Sequence, residues 1–463
     1  MENKLARSAA IIVVTTSSFV TPFLFSCLNV ALPSIGEEFS MDAVMLSWVA
    51  TSYSLAAALF LVPFGRLADI YGRRKIFTYG TGVTMAASIL LALSTSAISL
   101  ISFQIVQGIG NAMTFGTAVA ILTSIFPAQD RGKVLGLNVA AVYIGLSAGP
   151  YIGGLLTEHF GWRSIFWVNA FLCLIILVLI LWKVRMEWSE AKGEKFDFTG
   201  SLIYGAALIA IMYGLSKLPA LWAAGLILVG VLGIFAFINW EKRVKSPVFN
   251  ISLFRNNTVF TFSNMAALVH YSATSGVNFL LNLYLQQVKE LSPDKAGLVL
   301  LSQPIVMAVF SPLAGRISDK IEPRLVASIG MALSFLGLML LIFITQETTL
   351  TLIVPILLIM GLGFALFSSP NTNAVMGAVE KRYYGVASAT LGTMRLVGQM
   401  LSMGMVMLMF VLYMGRTKIS PEYYGLFLSS MRAAFIIFAV LCFIGIFASM
   451  ARGRVRRIED ESS

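Results

Sequence analysis

The sequence predicts an all-α integral membrane protein, with fourteen spanning helices arranged as two six-helix halves and two further helices between them. Three observations carry this reading. Of 463 residues, 58% are hydrophobic and 12% charged, against about 45–50% and about 25% in soluble domains, and the mean hydropathy is +0.84. The apolar residues collect into runs of roughly 20, long enough to cross a hydrocarbon core of about 30 Å. Lys and Arg concentrate in alternate connections, and one short motif recurs at matching places in the two halves.

The spans are read between charged or turn-rich breaks. After Lys4 and Arg7 comes 9–33, then 45–65 up to Arg66, 76–94 after the basic turn Arg73, Arg74, Lys75, and 98–126. Arg131 and Lys133 precede 134–157, and Arg163 precedes 164–183. The stretches 198–216 and 220–240 are divided only by Lys217 and Pro219. After Arg255 the pattern resumes with 257–285, 296–314, 325–345, 350–378, 384–413 and 425–450. The domains expected are 1–183 for the first half, 184–256 for the two inserted helices and their flanking loops, and 257–463 for the second half with a basic tail.

Of the 33 Lys and Arg, 25 fall on the N-terminus, every second connection and the C-terminal tail, and six on the other side. The positive-inside bias therefore places both termini in the cytoplasm, as an even number of spans requires. The net charge of +11 is accounted for by this topology, which removes a nucleic-acid reading. Every Asp and Glu falls in a loop, a tail or a helix end, so no carboxylate is expected near the middle of a span. Cys27, Cys173 and Cys442 all lie in apolar runs and His159 and His270 are far apart, so neither a disulfide framework, a metal site nor a cofactor is expected. An integral-membrane enzyme would need a convergent acid, metal or nucleophile system, and none is present in the sequence of the spans.

Gly65-Arg66-Leu67-Ala68-Asp69, continuing to Arg73, follows the second span, and Gly315-Arg316-Ile317-Ser318-Asp319 follows the tenth, 250 residues later. Repeated halves with a substrate site at their interface are a transporter signature. On these residues the chain resembles the major facilitator superfamily, and the resemblance implies that fold. It also implies a conformational latch of Gly65, Arg66, Asp69, Arg73, Gly315, Arg316 and Asp319, in which Asp69 engages the start of the thirteenth span and Asp319 that of the fifth, when the cytoplasmic side is closed. Gly145, Gly149, Pro150, Gly153 and Gly154 form a GxxxGPxxGG pattern on the fifth span. Glycines four apart make a smooth face for a neighbouring helix. The complete pattern is similar to the antiporter motif of exporters in that superfamily. Asn29-Val-Ala-Leu-Pro33, Gln107-Gly108, Gly161-Trp162-Arg163 and Gly385-Val-Ala-Ser388 leading to Arg395 resemble its fourteen-helix drug–proton antiporter branch, which implies a monomer in the plasma membrane.

Two positions depart from that branch. Leu24 stands where relatives carry an Asp, and Gln104 where they carry an Arg, the acid and base that the branch associates with proton coupling. Within the spans His270 is left as the proton-carrying candidate, its ordinary pKa of about 6.5 suiting the role. Arg395 lies near the middle of the thirteenth span, where a fixed charge must face a cavity or a partner. The expected cavity residues are Asn29, Gln104, Gln107, Asn111, His270, Tyr271, Asn278, Gln303, Asn371, Asn373, Arg395 and Gln399, with Pro370 expected to break the twelfth span. Two readings stand: an exporter of hydrophobic or amphiphilic small molecules, proton-coupled through His270 or a helix-end acid, or an uncoupled facilitator or transporter of lipid-like and anionic amphiphiles.

Overall fold

The computed structural model describes residues 2–126, 128–184, 186–189, 192–244, 247–249, 252–255, 257–379, 384–415 and 417–453. Among these there are helices and turns and no strand. In chain order the long helices are α1 (Glu2–Glu38), α2 (Ala43–Tyr71), α3 (Arg73–Ala92), α4 (Ala97–Ile125), α5 (Ala128–Phe160), α6 (Arg163–Lys183), α7 (Phe198–Lys217) and α8 (Leu221–Glu241). After a short turn, Ser252–Arg255, come α9 (Thr258–Leu283, running into a π-helical turn Tyr284–Val288), α10 (in two pieces, Pro293–Leu300 and Ser302–Lys320), α11 (Pro323–Leu341), α12 (Leu350–Gly377), α13 (Tyr384–Tyr413) and α14 (Tyr424–Ala451).

Thirteen of these helices are long and apolar enough to cross a membrane. The fourteenth, α9, is 26 residues long but rich in polar side chains, and most of its residues are buried, including Ser263, Asn264, His270 and Asn282. Its polarity is tolerated because protein, not lipid, surrounds it. In contrast α8 buries only Ala223, Gly230, Phe237 and Glu241.

Local chemistry sets the ends. The Asp42 carboxylate accepts the Met45 N–H at 2.6 Å and caps α2, and a Ser96–Ser99 capping box opens α4. Gly72, at φ +120°, supplies the left-handed turn from α2 into α3. Pro370 lies inside a continuous α12 and does not break it. Proline's fixed φ is helical, and a buried helix can lose one backbone bond while its neighbours hold it in place.

The first six helices pack on one another, α1 on α5 and α6, α2 on α4, and α3 on α4 and α6. The last six repeat the scheme, with α9 on α13 and α14, α10 on α12, and α11 on α12 and α14. Glycine contacts repeat with it. A Cβ on Gly80 of α3 would lie 2.9 Å from Gly110 O of α4, and one on Gly330 of α11 would lie 2.6 Å from Gly363 O of α12. Gly80 and Gly330 are separated by the same 250 residues as Gly65 and Gly315. Between the two sets, α2 packs on α13 and α5 on α10. Helix α7 lies against both α2 and α13 and carries α8 on its far side.

Candidate functional site

Near the middle of the bundle a chain of polar contacts runs from one six-helix set to the other. The Tyr143 hydroxyl of α5 donates to Ser368 Oγ of α12 at 3.2 Å. One turn along, Thr372 Oγ1 donates to Ser368 O at 2.8 Å and accepts from Arg395 Nη2 of α13 at 2.7 Å. The Arg395 guanidinium carbon lies 5.6 Å from the centre of the Tyr271 ring of α9, within cation–π range. Tyr271 meets Phe364 edge-on at 5.3 Å. Arg395 Nε is buried without an acceptor. A guanidinium held by one hydroxyl and one ring, with donor capacity to spare, can receive an anionic or strongly polar acceptor.

His270 adjoins this cluster but turns away from water. It is 0% exposed, its ring lies 4.0 Å from that of Phe367 and 5.2 Å from that of Phe364, and neither nitrogen has a partner. Gln104, Asn111, Asn278 and Gln303 likewise each bury at least one side-chain polar atom without a partner. Leu24 is buried, and Gln399 is partly buried. Every Asp and Glu within a described helix stands in its first or last few residues.

Three of the expected cavity residues hydrogen-bond outside this cluster. Gln107 Nε2 donates to Ser88 Oγ of α3 at 3.0 Å, and Asn169 Nδ2 of α6 donates to the same oxygen at 2.6 Å. Gln107 thus closes a polar knot inside the first six helices. Asn371 joins a second knot, donating to Ser263 O at 3.1 Å and accepting from Arg452 Nη1 at 2.9 Å. Asn373 is exposed and donates to Ser318 Oγ at 2.7 Å. Arg452, read from sequence as part of a basic tail, is 0% exposed. Burial draws its guanidinium down to about 10, so it remains charged at neutral pH. Helical periodicity identifies a polar face but not which neighbour that face meets.

The glycine motif of α5 serves two surfaces. Cβ atoms on Gly145, Gly149 and Gly153 would lie 2.4 Å from Phe19 O, 2.3 Å from Ser26 Cβ and 2.6 Å from Cys27 Cα, all on α1. A Cβ on Gly154 would lie 2.5 Å from Pro293 O of α10, and one on Gly297 would lie 2.1 Å from Pro150 O. The motif therefore packs α5 on its own half through three glycines and on the other half through Pro150 and Gly154. Nearby, Asn282 Nδ2 donates to Asn29 O, Gln286 Nε2 to Val30 O at 2.7 Å, and Ala43 N to Thr417 O at 3.3 Å. These contacts join the halves on the face where α1 ends. Gln286 sits in the π-helical turn, a feature without a signature in the sequence.

On the opposite face, where α1 begins, the Asp69 carboxylate accepts from Arg73 Nε at 2.9 Å and Nη2 at 2.7 Å, and Arg73 Nη1 reaches Ala120 O at 3.3 Å. Arg66 pairs with Glu194, and Gly65 has open space beside it. In the second copy Ser318 Oγ donates to Gly315 O at 2.7 Å and Arg316 is exposed. The side chain of Asp319 lies outside the described residues, as do Glu380, Lys381, Arg382 and Tyr383 before α13 and Arg454, Arg456 and Arg457 of the tail.

A family model described as Major Facilitator Superfamily matches residues 14–403 and, again, 264–462. The chain belongs to the major facilitator superfamily. It is 28% identical over 439 residues to the riboflavin transporter RibZ of Clostridioides difficile, covering 94% of this chain and 95% of that protein. It is 32% identical to the multidrug resistance protein Stp of Mycobacterium tuberculosis, over 80% of this chain and 70% of that one. Its fold is similar to that of a bacterial homologue of the human lysosomal transporter Spinster, with a TM-score of 0.66, 18% identity and coverage of 96% and 97%. The superfamily fold expected from the sequence is thus present, and the chain is a multi-pass membrane transporter and not an enzyme.

Proposed function

We propose that this major facilitator protein exports neutral or anionic amphiphilic small molecules by alternating access of its two halves. The observation that carries the reading is Arg395: a guanidinium near the centre of the bundle, bonded to Thr372 and set over Tyr271, with no carboxylate near the middle of any described span. A lipophilic cation would find a like charge there, whereas an acceptor-bearing amphiphile would find a guanidinium, two tyrosines and several amides. Similarity to a protein named for multidrug resistance supports efflux as the direction. The membrane is the plasma membrane, and the face bearing Arg66, Arg73 and Arg452 is the cytoplasmic one by the positive-inside rule. The halves then meet through α5 and α10 on the outer side. Cargo crosses one copy of the chain as a monomer, and His270 is the candidate carrier of a counter-transported proton.

A second reading, uncoupled facilitation, is favoured by Leu24 and Gln104 and by similarity to a riboflavin transporter over nearly the whole of both chains. Reconstitution into liposomes with a trapped pH dye separates the two. Riboflavin and a panel of neutral, anionic and cationic amphiphiles are added with and without an imposed pH gradient. Substrate-linked proton movement that disappears in His270→Ala supports antiport through that residue, and proton movement that persists in the variant assigns the coupling to a helix-end acid. Substrate flux with no proton movement selects the facilitator. Preference for cationic members of the panel would overturn the role given to Arg395.

A further inference from the structure

At the foot of α7 and α8, on the face where α1 begins, two carboxyl groups are buried together. Asp197 is 8% exposed and Glu241 3%. Asp197 caps α7, accepting the Gly200 N–H at 2.9 Å, and its two oxygens receive the Trp240 indole N–H at 3.2 and 3.1 Å. Glu241 Oε2 accepts the Phe249 N–H at 2.9 Å. The remaining oxygens converge over Gly200: a Cβ there would stand 2.4 Å from Asp197 Oδ2 and 2.6 Å from Glu241 Oε1. Both oxygens thus face the same point above Gly200, and Glu241 Oε1 is buried with no donor.

Among the described residues no cation neutralises the pair. Arg66 of α2 is engaged by Glu194. Lys195, Lys242 and Arg243 are exposed. Helix α2 presents Val62 and Pro63 beside Ser201, Val248 and Phe249. Two carboxyl oxygens facing each other without a cation repel when both groups are ionised, and one proton between them would supply the donor that Glu241 Oε1 lacks.

The pair also ends a strap. The segment from α6 to α7 grips the α2–α3 turn, with the Arg73 N–H on Trp188 O at 2.8 Å, the Arg74 N–H on Glu187 Oε1 at 2.8 Å, and Glu194 on Arg66. It then reaches Asp197. We propose that Asp197 and Glu241 form a proton-binding site that holds one exchangeable proton and fastens the α7–α8 hairpin to this strap. When the proton leaves to water, the pair passes from one negative charge to two, and repulsion loosens the Phe249 and Gly200 contacts. The site thus ties protonation on this face to the segment that grips the first GRxxD turn, whatever the transported molecule.

The test uses the full chain in lipid nanodiscs without substrate. Infrared spectroscopy of the wild type at neutral pH is expected to show a protonated-carboxyl stretch that fades on alkalinisation and is missing in Glu241→Gln. Hydrogen exchange, expressed as protection relative to intrinsic rates, is expected to fall for the Gly200 and Phe249 amides as pH rises in the wild type and to hold steady in the variant. Absence of the band in the wild type at neutral pH, an undiminished band in Glu241→Gln, or equal pH dependence of protection in both proteins overturns the proposal. If Glu241→Gln does not fold, the wild-type titration of the band decides alone, its presence and alkaline loss supporting the site and its absence refuting it.

Discussion

Gly297 offers a test of how the halves meet, because its Cα lies against a backbone carbonyl that cannot swing aside. A Cβ at Gly297 would stand 2.1 Å from Pro150 O, against an ordinary contact of 3.4 Å or more, so Gly297→Ala must part α10 from α5 by about 1.3 Å. Overpacking of this kind costs about 1–3 kcal/mol. The contact joins the two halves, so the cost falls on the state described here and not on one in which α5 and α10 have separated. The equilibrium between them should shift by roughly 5- to 150-fold toward separation on that face. Gly149→Ala is the control: its Cβ would lie 2.3 Å from Ser26 Cβ of α1, inside the first half, and burdens both states alike. Spin labels at the exposed positions Phe160 and Lys295 report the α5–α10 separation by pulsed electron resonance. Gly297→Ala should add a long-distance population, and Gly149→Ala should lower thermal stability without one. An unchanged distance distribution in Gly297→Ala, or the same change in both variants, would refute the reasoning.

Other consequences are equally direct. Arg395→Ala removes a charge-assisted hydrogen bond, typically worth about 1.5–3 kcal/mol, so apparent affinity for anionic amphiphiles should fall about tenfold or more in liposome uptake, while cationic ones, freed of a like charge, should be taken up better. Asn282→Leu breaks the bond to Asn29 O and strips Gln286 of its bond to Asn282 Oδ1. Membrane polar contacts average about 0.6 kcal/mol, so the same spin-label pair should show a shift of about threefold. Arg452→Met leaves Asn371 Oδ1 without its donor, which should cost about 1–3 kcal/mol in thermal unfolding in detergent while leaving substrate affinity intact. Gln107→Leu should likewise lower stability without changing affinity, because its partner is Ser88 of the same half; an affinity loss would return Gln107 to the cavity.

Much of the fold was legible in the chain because the bilayer allows few solutions. Backbone polar groups must be satisfied within each crossing, so apolar runs of a set length become helices. Charge cannot be left in hydrocarbon, so Lys and Arg mark the connections. The spans at both ends of the chain, the repeat from Gly65 to Gly315 and the special position of Arg395 all follow from composition and order. What a polar side chain meets does not, because that depends on how far each helix is rotated against its neighbours. Tertiary packing decided that Gln107 serves Ser88, that Arg452 is buried among Ser263, Asn371 and Ser449, and that Tyr143 and Thr372 complete the path to Arg395. It also brought Asp197 and Glu241 together over Gly200, two acids 44 residues apart that sequence reads as separate helix ends. Periodicity and charge sort each residue between lipid, water and protein, but only the assembled bundle, by setting helix rotation and depth, assigns its partner.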